Sequence, residues 1–240
     1  MHQYYRIADL IVKMDTFGRT EKQAERYLIK EESEYDILIE SKRNSLKKMY
    51  PDMDDDVCEY ISTSHSFYSQ LIMYGGMMLH SSAVVVDGWA YLFTAPSGTG
   101  KSTHTMLWLD LLKEKAYILN DDKPALRFCA GKLCAYGTPW SGKTDLHVNE
   151  RVPVKAICIL KRGENNKIER ISGVSAVYGV LSQTVRSKES EIMEKLLETI
   201  DKVLDSVDIW KMECNISAKA AKMAYEAMSY KEYGEENRII

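Results

Sequence analysis

The chain has 240 residues, of which 45% are hydrophobic, and a formal net charge of −3 at neutral pH. This size and apolar content can bury one sizeable core, and the lack of a basic excess argues against nucleic acid as a partner. No apolar stretch approaches membrane-spanning length and the first ten residues hold no signal-peptide core, so we expect no membrane contact. Five scattered cysteines without a C-x-x-C pair favour a reduced, cytoplasmic protein.

The first 75 residues are predicted to form a subdomain of strands and helix. Alternating apolar residues predict edge strands at 5–13 and 35–40, and residues 54–78 have the pattern of a long helix that leads into His80. No Pro/Gly/Ser-rich linker follows. We therefore expect residues 76–240 to form one compact unit with residues 1–75.

A hairpin is predicted next. Residues 83–94 read A-V-V-V-D-G-W-A-Y-L-F-T, two β-rich runs joined by Asp87-Gly88. An Asp-Gly pair between such runs is a strong signal for a tight antiparallel turn.

The hairpin leads directly into residues 95–103, A-P-S-G-T-G-K-S-T, a spacing typical of a phosphate-binding loop, although Ala95 stands where Gly is usual. Successive backbone N–H groups in such a loop surround a phosphate, while Lys101 reaches the β- and γ-phosphates and Ser102 holds Mg²⁺. The alternative is a Gly/Ser turn that happens to precede a lysine. We predict nucleoside triphosphate binding, with contacts from Ser97, Gly98, Thr99, Gly100, Lys101, Ser102 and Thr103.

A helix over 101–113 should follow the loop, and a short apolar strand at 117–119 comes after it. The predicted buried face of the helix contains Met106, Leu109 and Leu112. His104, on the same helix, either touches the nucleotide or is structural.

The apolar strand ends in Asn120-Asp121-Asp122. Two carboxylates at the end of a strand beside a phosphate loop can hold Mg²⁺ or accept a proton from an attacking hydroxyl. An ordinary acidic turn is the alternative. The sequence therefore makes Asp121 and Asp122 candidate catalytic residues.

A second hairpin is predicted from residues 125–128 and 132–136 about Ala130-Gly131, and it leads into G-T-P-W-S-G-K at 137–143. Lys143 could clamp a transferred phosphoryl group or be an ordinary exposed lysine. Trp140 could stack on a substrate or anchor the packing.

This order of parts resembles the HPr serine kinase/phosphorylase family, whose phosphate loop resembles that of the phosphoenolpyruvate carboxykinases. The resemblance covers about residues 75–160 and rests on His80, the hairpin, S-G-T-G-K-S, the helix and L-N-D-D. The P-W-S-G-K segment and a strand at 155–161 are similar in particular to small HPr kinase-related kinases, some of which phosphorylate ribosomal peptides. The resemblance implies an α/β fold in which a mixed sheet carries a phosphate loop after an antiparallel hairpin, with helices at the C-terminal end.

The resemblance also implies ATP and Mg²⁺ as ligands. Lys101 would neutralise the phosphates, Ser102 and Asp121 would hold Mg²⁺, Asp122 or Asp121 would act as the base, and His80 would lie beside the reacting phosphate. The expected reaction transfers the γ-phosphoryl group to a hydroxyl, most simply a serine of a peptide or small protein. A small-molecule kinase and a nucleotide-sensing module that transfers nothing are the alternatives, and the oligomeric state is open.

The C-terminal third is predicted to be mainly helical. Apolar spacing predicts helices at 174–181, 190–204 and 218–228, and residues 209–214 alternate like a closing strand. The tail at 231–240 is polar and is expected to be mobile.

Overall fold

The computed structural model describes residues 3–229, in which two sheets are present. The smaller sheet has the strand order β3-β1-β2-β4. The strands are β1 (Gln3–Ile7), β2 (Leu10–Met14), β3 (Leu28–Ile29) and β4 (Ile37–Ile39). Three helices belong to this part of the chain: α1 (Gly18–Ala24), α2 (Arg43–Met49) and α3 (Asp55–Leu71).

The larger sheet has nine strands and mixes parallel with antiparallel pairs. They are β5 (Gly76–Met78), β6 (Ser81–Val86), β7 (Trp89–Thr94), β8 (Ala116–Asn120), β9 (Ala125–Cys129), β10 (Lys132–Tyr136), β11 (Arg151–Arg162), β12 (Lys167–Ile171) and β13 (Asp208–Cys214). Seven of them run in the order β5-β9-β10-β11-β7-β6-β8, while β13 pairs with both β11 and β12. The long strand β11 therefore joins the two halves of the sheet.

Helices cover both faces of this sheet. They are α4 (Lys101–Leu112), α5 (Gly173–Leu181), α6 (Ser190–Ser206) and α7 (Ala218–Ser229). Because successive strand residues point to opposite faces, Val85 packs in one core with residues of α5 and α6, whereas Val84 packs in another with residues of α4 and α7. The predicted mixed α/β architecture is confirmed to this extent.

Both predicted hairpins are confirmed. Strands β6 and β7 pair antiparallel about Asp87-Gly88, where both residues have positive φ, and β9 and β10 pair about Ala130-Gly131 in the same way. These angles match a two-residue turn whose twist follows that of the flanking strands. The three C-terminal helices and the strand at 209–214 are also present, close to their predicted bounds.

Two N-terminal predictions were wrong in detail. Residues 5–13 are not one strand: a turn at Ala8-Asp9, with φ of 52° and 61°, splits them into β1 and β2, which lie in the middle of the small sheet. The predicted helix 54–78 ends at Leu71, because a 3-10 turn and Gly75, at φ 67°, lead the chain into strand β5.

The buried face predicted for the helix after the loop was wrong at Met106, while Leu109 and Leu112 are partly buried and pack against the core. Met106 is 44% exposed, whereas His104, Thr105 and Trp108 are buried. A flat apolar pattern, with large residues on several sides of the helix, could not indicate which side meets the sheet. Sequence analysis also missed α1, α2 and β12, and the predicted mobile tail at 231–240 lies outside the described residues.

Within residues 3–229, no helix is both long enough and apolar enough to cross a bilayer. All five cysteines fall in this range and are free thiols.

Candidate functional site

The acidic pair lies on a turn that Asn120 holds in shape. The Asn120 Oδ1 atom accepts the backbone N–H groups of Asp122 at 3.0 Å and Lys123 at 2.7 Å, and its Nδ2 donates to the Thr138 carbonyl oxygen at 2.9 Å. An Asn side chain that bonds to the backbone two residues on is a standard way to close such a turn. The turn therefore presents Asp121 and Asp122 in a defined orientation at the end of β8.

Asp122 is held by side chains from three separate parts of the chain. Its Oδ1 lies 3.1 Å from Nε2 of His80, and its Oδ2 accepts a hydrogen bond from the Tyr60 hydroxyl of α3. Lys123 Nζ is 3.9 Å from Oδ2 and lies over the Tyr60 ring. His80 is itself positioned by Gln183, whose Oε1 is 3.3 Å from Nδ1 and whose carbonyl oxygen accepts the His80 N–H at 2.8 Å.

These contacts keep Asp122 ionised. Burial alone would raise the pKa of Asp122, but the hydrogen bond from His80, the Lys123 charge and the hydrogen bond from Tyr60 outweigh it, so this pKa lies below its usual value. Burial and the neighbouring Asp122 charge raise the pKa of Tyr60 well above its usual value. Burial also lowers the pKa of Lys123 to about 8. At neutral pH the site thus holds an ionised carboxylate that is only partly covered, with about a fifth of its side chain exposed.

Asp121 faces the other way and is tied to the start of α4. Ser82 Oγ donates to its Oδ1 at 2.5 Å and Thr144 Oγ1 donates to its Oδ2 at 2.9 Å. The same Ser82 hydroxyl is 2.7 Å from Oγ1 of Thr105, which in turn donates to the Ser102 carbonyl oxygen at 3.0 Å. Asp121 and the first turn of α4 are therefore linked through two hydroxyl groups.

The loop at 95–100 leads into α4 through two glycines in the left-handed region, Gly98 at φ 76° and Gly100 at φ 114°. A Cβ at either position would meet no atom within 4 Å, so glycine is required here by backbone conformation and not by lack of space. The first N–H groups of a helix have no intrahelical partner, and those of 101–103 are available to an anion at this end. Arg162 ties the loop to β11, because its Nε donates to the Thr99 carbonyl oxygen at 3.0 Å.

Lys101 is buried at the first position of α4 and donates to the Ala95 carbonyl oxygen at 2.9 Å. Burial lowers its pKa, while the charges of Asp122 and Asp121 raise it. The structure therefore brings the loop lysine and both carboxylates into one electrostatic cluster, with His80 on its edge.

Two of the residues proposed from sequence lie outside this cluster. Trp140 is completely buried, stacks on Phe67 at 4.9 Å between ring centroids, and donates to Thr63 Oγ1 at 3.0 Å. It is a packing anchor, which decides between the two alternatives. Lys143 is exposed in the turn beyond it and has no ion-pair partner among residues 3–229.

A cation at this site would be bound by protein side chains and substrate phosphates together. No group of three or more His, Cys, Asp or Glu side chains within 3–229 is arranged to hold a metal ion. Mg²⁺ is usually bound through one or two carboxylates together with substrate phosphates, so the Asp121 carboxylate and the Ser102 hydroxyl fit this mode of binding.

Sequence reasoning missed several residues that hold the acidic pair, and they lie far from it in the chain. Tyr60 and Gln183 are the clearest examples, since they are 62 and 103 positions away from their partners Asp122 and His80. A helical tyrosine and a loop glutamine carry no local pattern that would indicate this role.

The chain was compared with protein families, curated proteins and solved structures. The model of the family described as SynChlorMet cassette protein ScmC matches residues 46–230. The chain belongs to this ScmC family. No curated protein matches. Among solved structures, the HPr(Ser) kinase/phosphatase from Coxiella burnetii is similar at 12% sequence identity and a TM-score of 0.37, over 64% of this chain and 99% of that chain.

Proposed function

We propose that this protein is an ATP-dependent kinase that transfers the γ-phosphoryl group to the hydroxyl of a serine in a peptide or small protein. The observation that carries the proposal is the Asp122 carboxylate, held ionised by His80 and Tyr60 beside the buried Lys101 of a glycine-bearing loop. A carboxylate poised beside phosphate-binding groups is what transfer to a hydroxyl requires.

Each residue then has a role that its contacts support. Asp122 accepts the proton of the acceptor hydroxyl as the hydroxyl oxygen bonds to the γ-phosphorus and the bond to the β–γ bridging oxygen breaks, which releases ADP. Lys101 and the N–H groups at the start of α4 neutralise the phosphates. Mg²⁺, held by Ser102 and Asp121, would supply further positive charge at the phosphates.

The two aspartates differ in exposure and in contacts, and this difference supports separate roles for them. About a fifth of the Asp122 side chain is exposed, so an acceptor can approach its carboxylate, whereas Asp121 is buried. Asp121 is also the one connected to the α4 turn that contains Ser102. We therefore assign the base to Asp122 and the cation to Asp121.

The proposal is tested with Asp122→Asn. We expect nucleotide affinity to stay within a few-fold while transfer of label from γ-labelled ATP falls by roughly 10²-fold or more, because the amide cannot accept the proton. Asp121→Asn is the matched variant and should instead weaken the dependence on Mg²⁺. If both variants transfer phosphate at the wild-type rate, the assignment is wrong and a nucleotide sensor is favoured.

The acceptor is tested by incubation of the protein and γ-labelled ATP with a size-fractionated lysate. We expect label in peptide or small-protein fractions as alkali-labile, acid-stable phosphoserine, while free serine and sugars stay unlabelled. Label confined to metabolite-sized material would replace the peptide acceptor with a small molecule and leave the kinase assignment standing.

A further inference from the structure

Two positively charged side chains pack against the ring of Tyr60, whose hydroxyl donates a hydrogen bond to Asp122. Lys123 Nζ lies 3.9 Å from the centroid of this ring, and Cζ of Arg19, on α1, lies 4.9 Å from it. A cation over an aromatic face is attracted by the quadrupole of the ring. Tyr60 thus holds two positive charges close to the carboxylate to which the proton transfer is assigned.

The two cations differ in how their charge is compensated. Lys123 Nζ is 3.9 Å from Asp122 Oδ2 and donates to Ser64 Oγ at 3.1 Å. The Arg19 guanidinium has no carboxylate within 4 Å in the part of the chain that the structure describes, and Asp56 accepts its backbone N–H at 3.3 Å. Only Nε of this guanidinium is enclosed by protein, so the two terminal nitrogens stay open to a group that arrives from solvent.

A third cation follows the residue that packs on Asp122. The Gly142 N–H donates to the Tyr60 hydroxyl oxygen at 3.0 Å, and a Cβ at Gly142 would lie 3.1 Å from Cβ of Asp122. Lys143 comes directly after it, is exposed and has no ion-pair partner within 3–229. Asp145, the acidic residue of this turn, lies beside a buried histidine instead. Positive charge at this edge of the site is therefore left without a compensating carboxylate from the described residues.

We propose that Arg19 and Lys143 bind an acidic side chain of the acceptor peptide, so that the serine that is phosphorylated is one flanked by aspartate or glutamate. This inference rests on the proposed function, because it names the kind of acceptor that the same site takes. A guanidinium can pair with a carboxylate through two parallel N–H···O bonds, which fixes the orientation of the peptide as well as balancing its charge. Neither α1 nor the turn at 141–146 is hydrogen-bonded to the loop at 95–100 in the described chain, so both cations are available to the acceptor.

The test uses a library of peptides with one fixed serine and randomised residues on both sides of it, incubated with γ-labelled ATP and Mg²⁺. We expect aspartate and glutamate to be enriched in the peptides that wild-type protein phosphorylates. Arg19→Gln should reduce this enrichment roughly three- to tenfold, because a hydrogen-bonded charge pair is lost. Lys143→Gln, an exposed substitution with little risk to folding, should reduce it by about twofold, as expected for an exposed ion pair.

Arg43→Gln is the matched control and should keep the wild-type enrichment. Arg43 also stacks on an aromatic ring, with Cζ 4.0 Å from the centroid of Phe17, but the carboxylate that its charge affects is Glu59. Titration calorimetry with ATP separates acceptor binding from nucleotide binding. A loss of ATP affinity in Arg19→Gln as large as its loss of enrichment would assign Arg19 to the nucleotide and overturn the inference.

The remaining outcomes distinguish this inference from the proposed function. If wild-type protein phosphorylates the library without a preference for acidic residues, or if Arg19→Gln keeps the full preference, the inference is wrong and the kinase assignment stands. If no serine peptide is labelled, either in the library or in the lysate, the peptide acceptor fails and the inference fails with it. An acidic preference that is reduced in Arg19→Gln and kept in Arg43→Gln supports the inference.

Discussion

At the residue scale, the charge state of Asp122 in the candidate site is set by the polar side chains around it. Asp122 lies in a partly buried position that would favour the neutral acid, and only the contacts from His80, Tyr60 and Lys123 keep it charged. Tyr60 couples two parts of the site, because its hydroxyl donates to Asp122 and accepts the Gly142 N–H at 3.0 Å. Removal of this single hydroxyl should therefore have a measurable effect on the carboxylate.

We expect Tyr60→Phe to raise the pKa of Asp122. The hydrogen bond from Tyr60 is one of the contacts that lower this pKa, and its loss favours the neutral acid. Since the proposed base must be ionised, the acidic limb of the pH–rate profile should move to higher pH, as measured by label transfer from ATP between pH 3 and 7. Tyr68→Phe, which removes a buried hydroxyl of the same helix that donates to the Lys123 carbonyl oxygen and makes no bond to Asp122, is the control. If the acidic limb of Tyr60→Phe lies at the same pH as that of wild type, the ionisation of Asp122 does not set this limb.

The lowered pKa of Lys123 predicts that its contribution to the free energy of unfolding depends on pH. Its pKa is about 8 in the folded protein, against about 10.4 in an unfolded chain, so between these values the unfolded state binds more protons. The burial cost is therefore present below pH 8 and is relieved as the pH rises toward 10. The free energy of unfolding of wild type, relative to Lys123→Met, should rise by about 2 kcal/mol from pH 8 to 10.

Urea denaturation of both proteins at several pH values measures this difference. Thiols and tyrosines of the unfolded chain titrate in the same range, but they are common to both proteins and their contributions cancel. A difference that stays constant with pH would show that Lys123 is not desolvated in the folded state.

At the scale of secondary-structure elements, α4 is held by one aromatic side chain. Trp108 is fully buried and contacts Tyr91, Phe93 and Tyr225, so it joins α4 to the sheet and to α7. Because α4 begins directly after the loop at 95–100, this cluster also determines where Lys101 and Ser102 lie relative to the sheet. Apolar patterning along the helix indicated another face, which includes Met106.

Substitutions to alanine on the two faces test this orientation. Trp108→Ala should cost about 3–5 kcal/mol of unfolding free energy, because it leaves a cavity among three aromatic rings. Met106→Ala, on the exposed face, should stay within about 0.5 kcal/mol of wild type. Chemical denaturation measures both, and comparable losses would contradict the orientation of α4.

At the scale of the whole molecule, the N-terminal part supports the site from outside the large sheet. Gln23 of α1 donates through Nε2 to Ser141 Oγ and to the Gly142 carbonyl oxygen, both at 3.2 Å. The loop that it braces contains Thr144, which holds Asp121, and Gly142, which bonds Tyr60. Packing of residues 3–75 against this loop thus affects both aspartates.

Gln23→Ala should therefore reduce phosphoryl transfer several-fold and lower the unfolding free energy by about 1–2 kcal/mol, since two buried acceptors lose their donor. ATP affinity should be unchanged, because Gln23 Nε2 bonds Ser141 and Gly142 and makes no hydrogen bond to the loop at 95–100 within residues 3–229. Lys22→Ala, the exposed neighbour, is the control. Steady-state transfer, ATP titration and denaturation give the three readouts. Full activity in a Gln23→Ala variant that is less stable than wild type would show that the loop held by Gln23 does not affect catalysis.

The sequence by itself determined the elements with strong local signals. The Asp-Gly and Ala-Gly turns, the glycine-bearing loop before Lys101 and the apolar strand before Asp121-Asp122 follow from short-range chemistry, and the mixed α/β class was implied by the family resemblance that these parts carry. Only the tertiary structure decided that residues 5–13 turn back on themselves, that Trp108 and not Met106 faces the sheet, and that Trp140 is a core residue. The same holds for Tyr60, Gln183 and Ser82, which reach the acidic pair and its histidine from distant segments. A local pattern reports how a segment folds on itself, whereas these contacts depend on which segments pack together, and that is settled by burial across the whole chain.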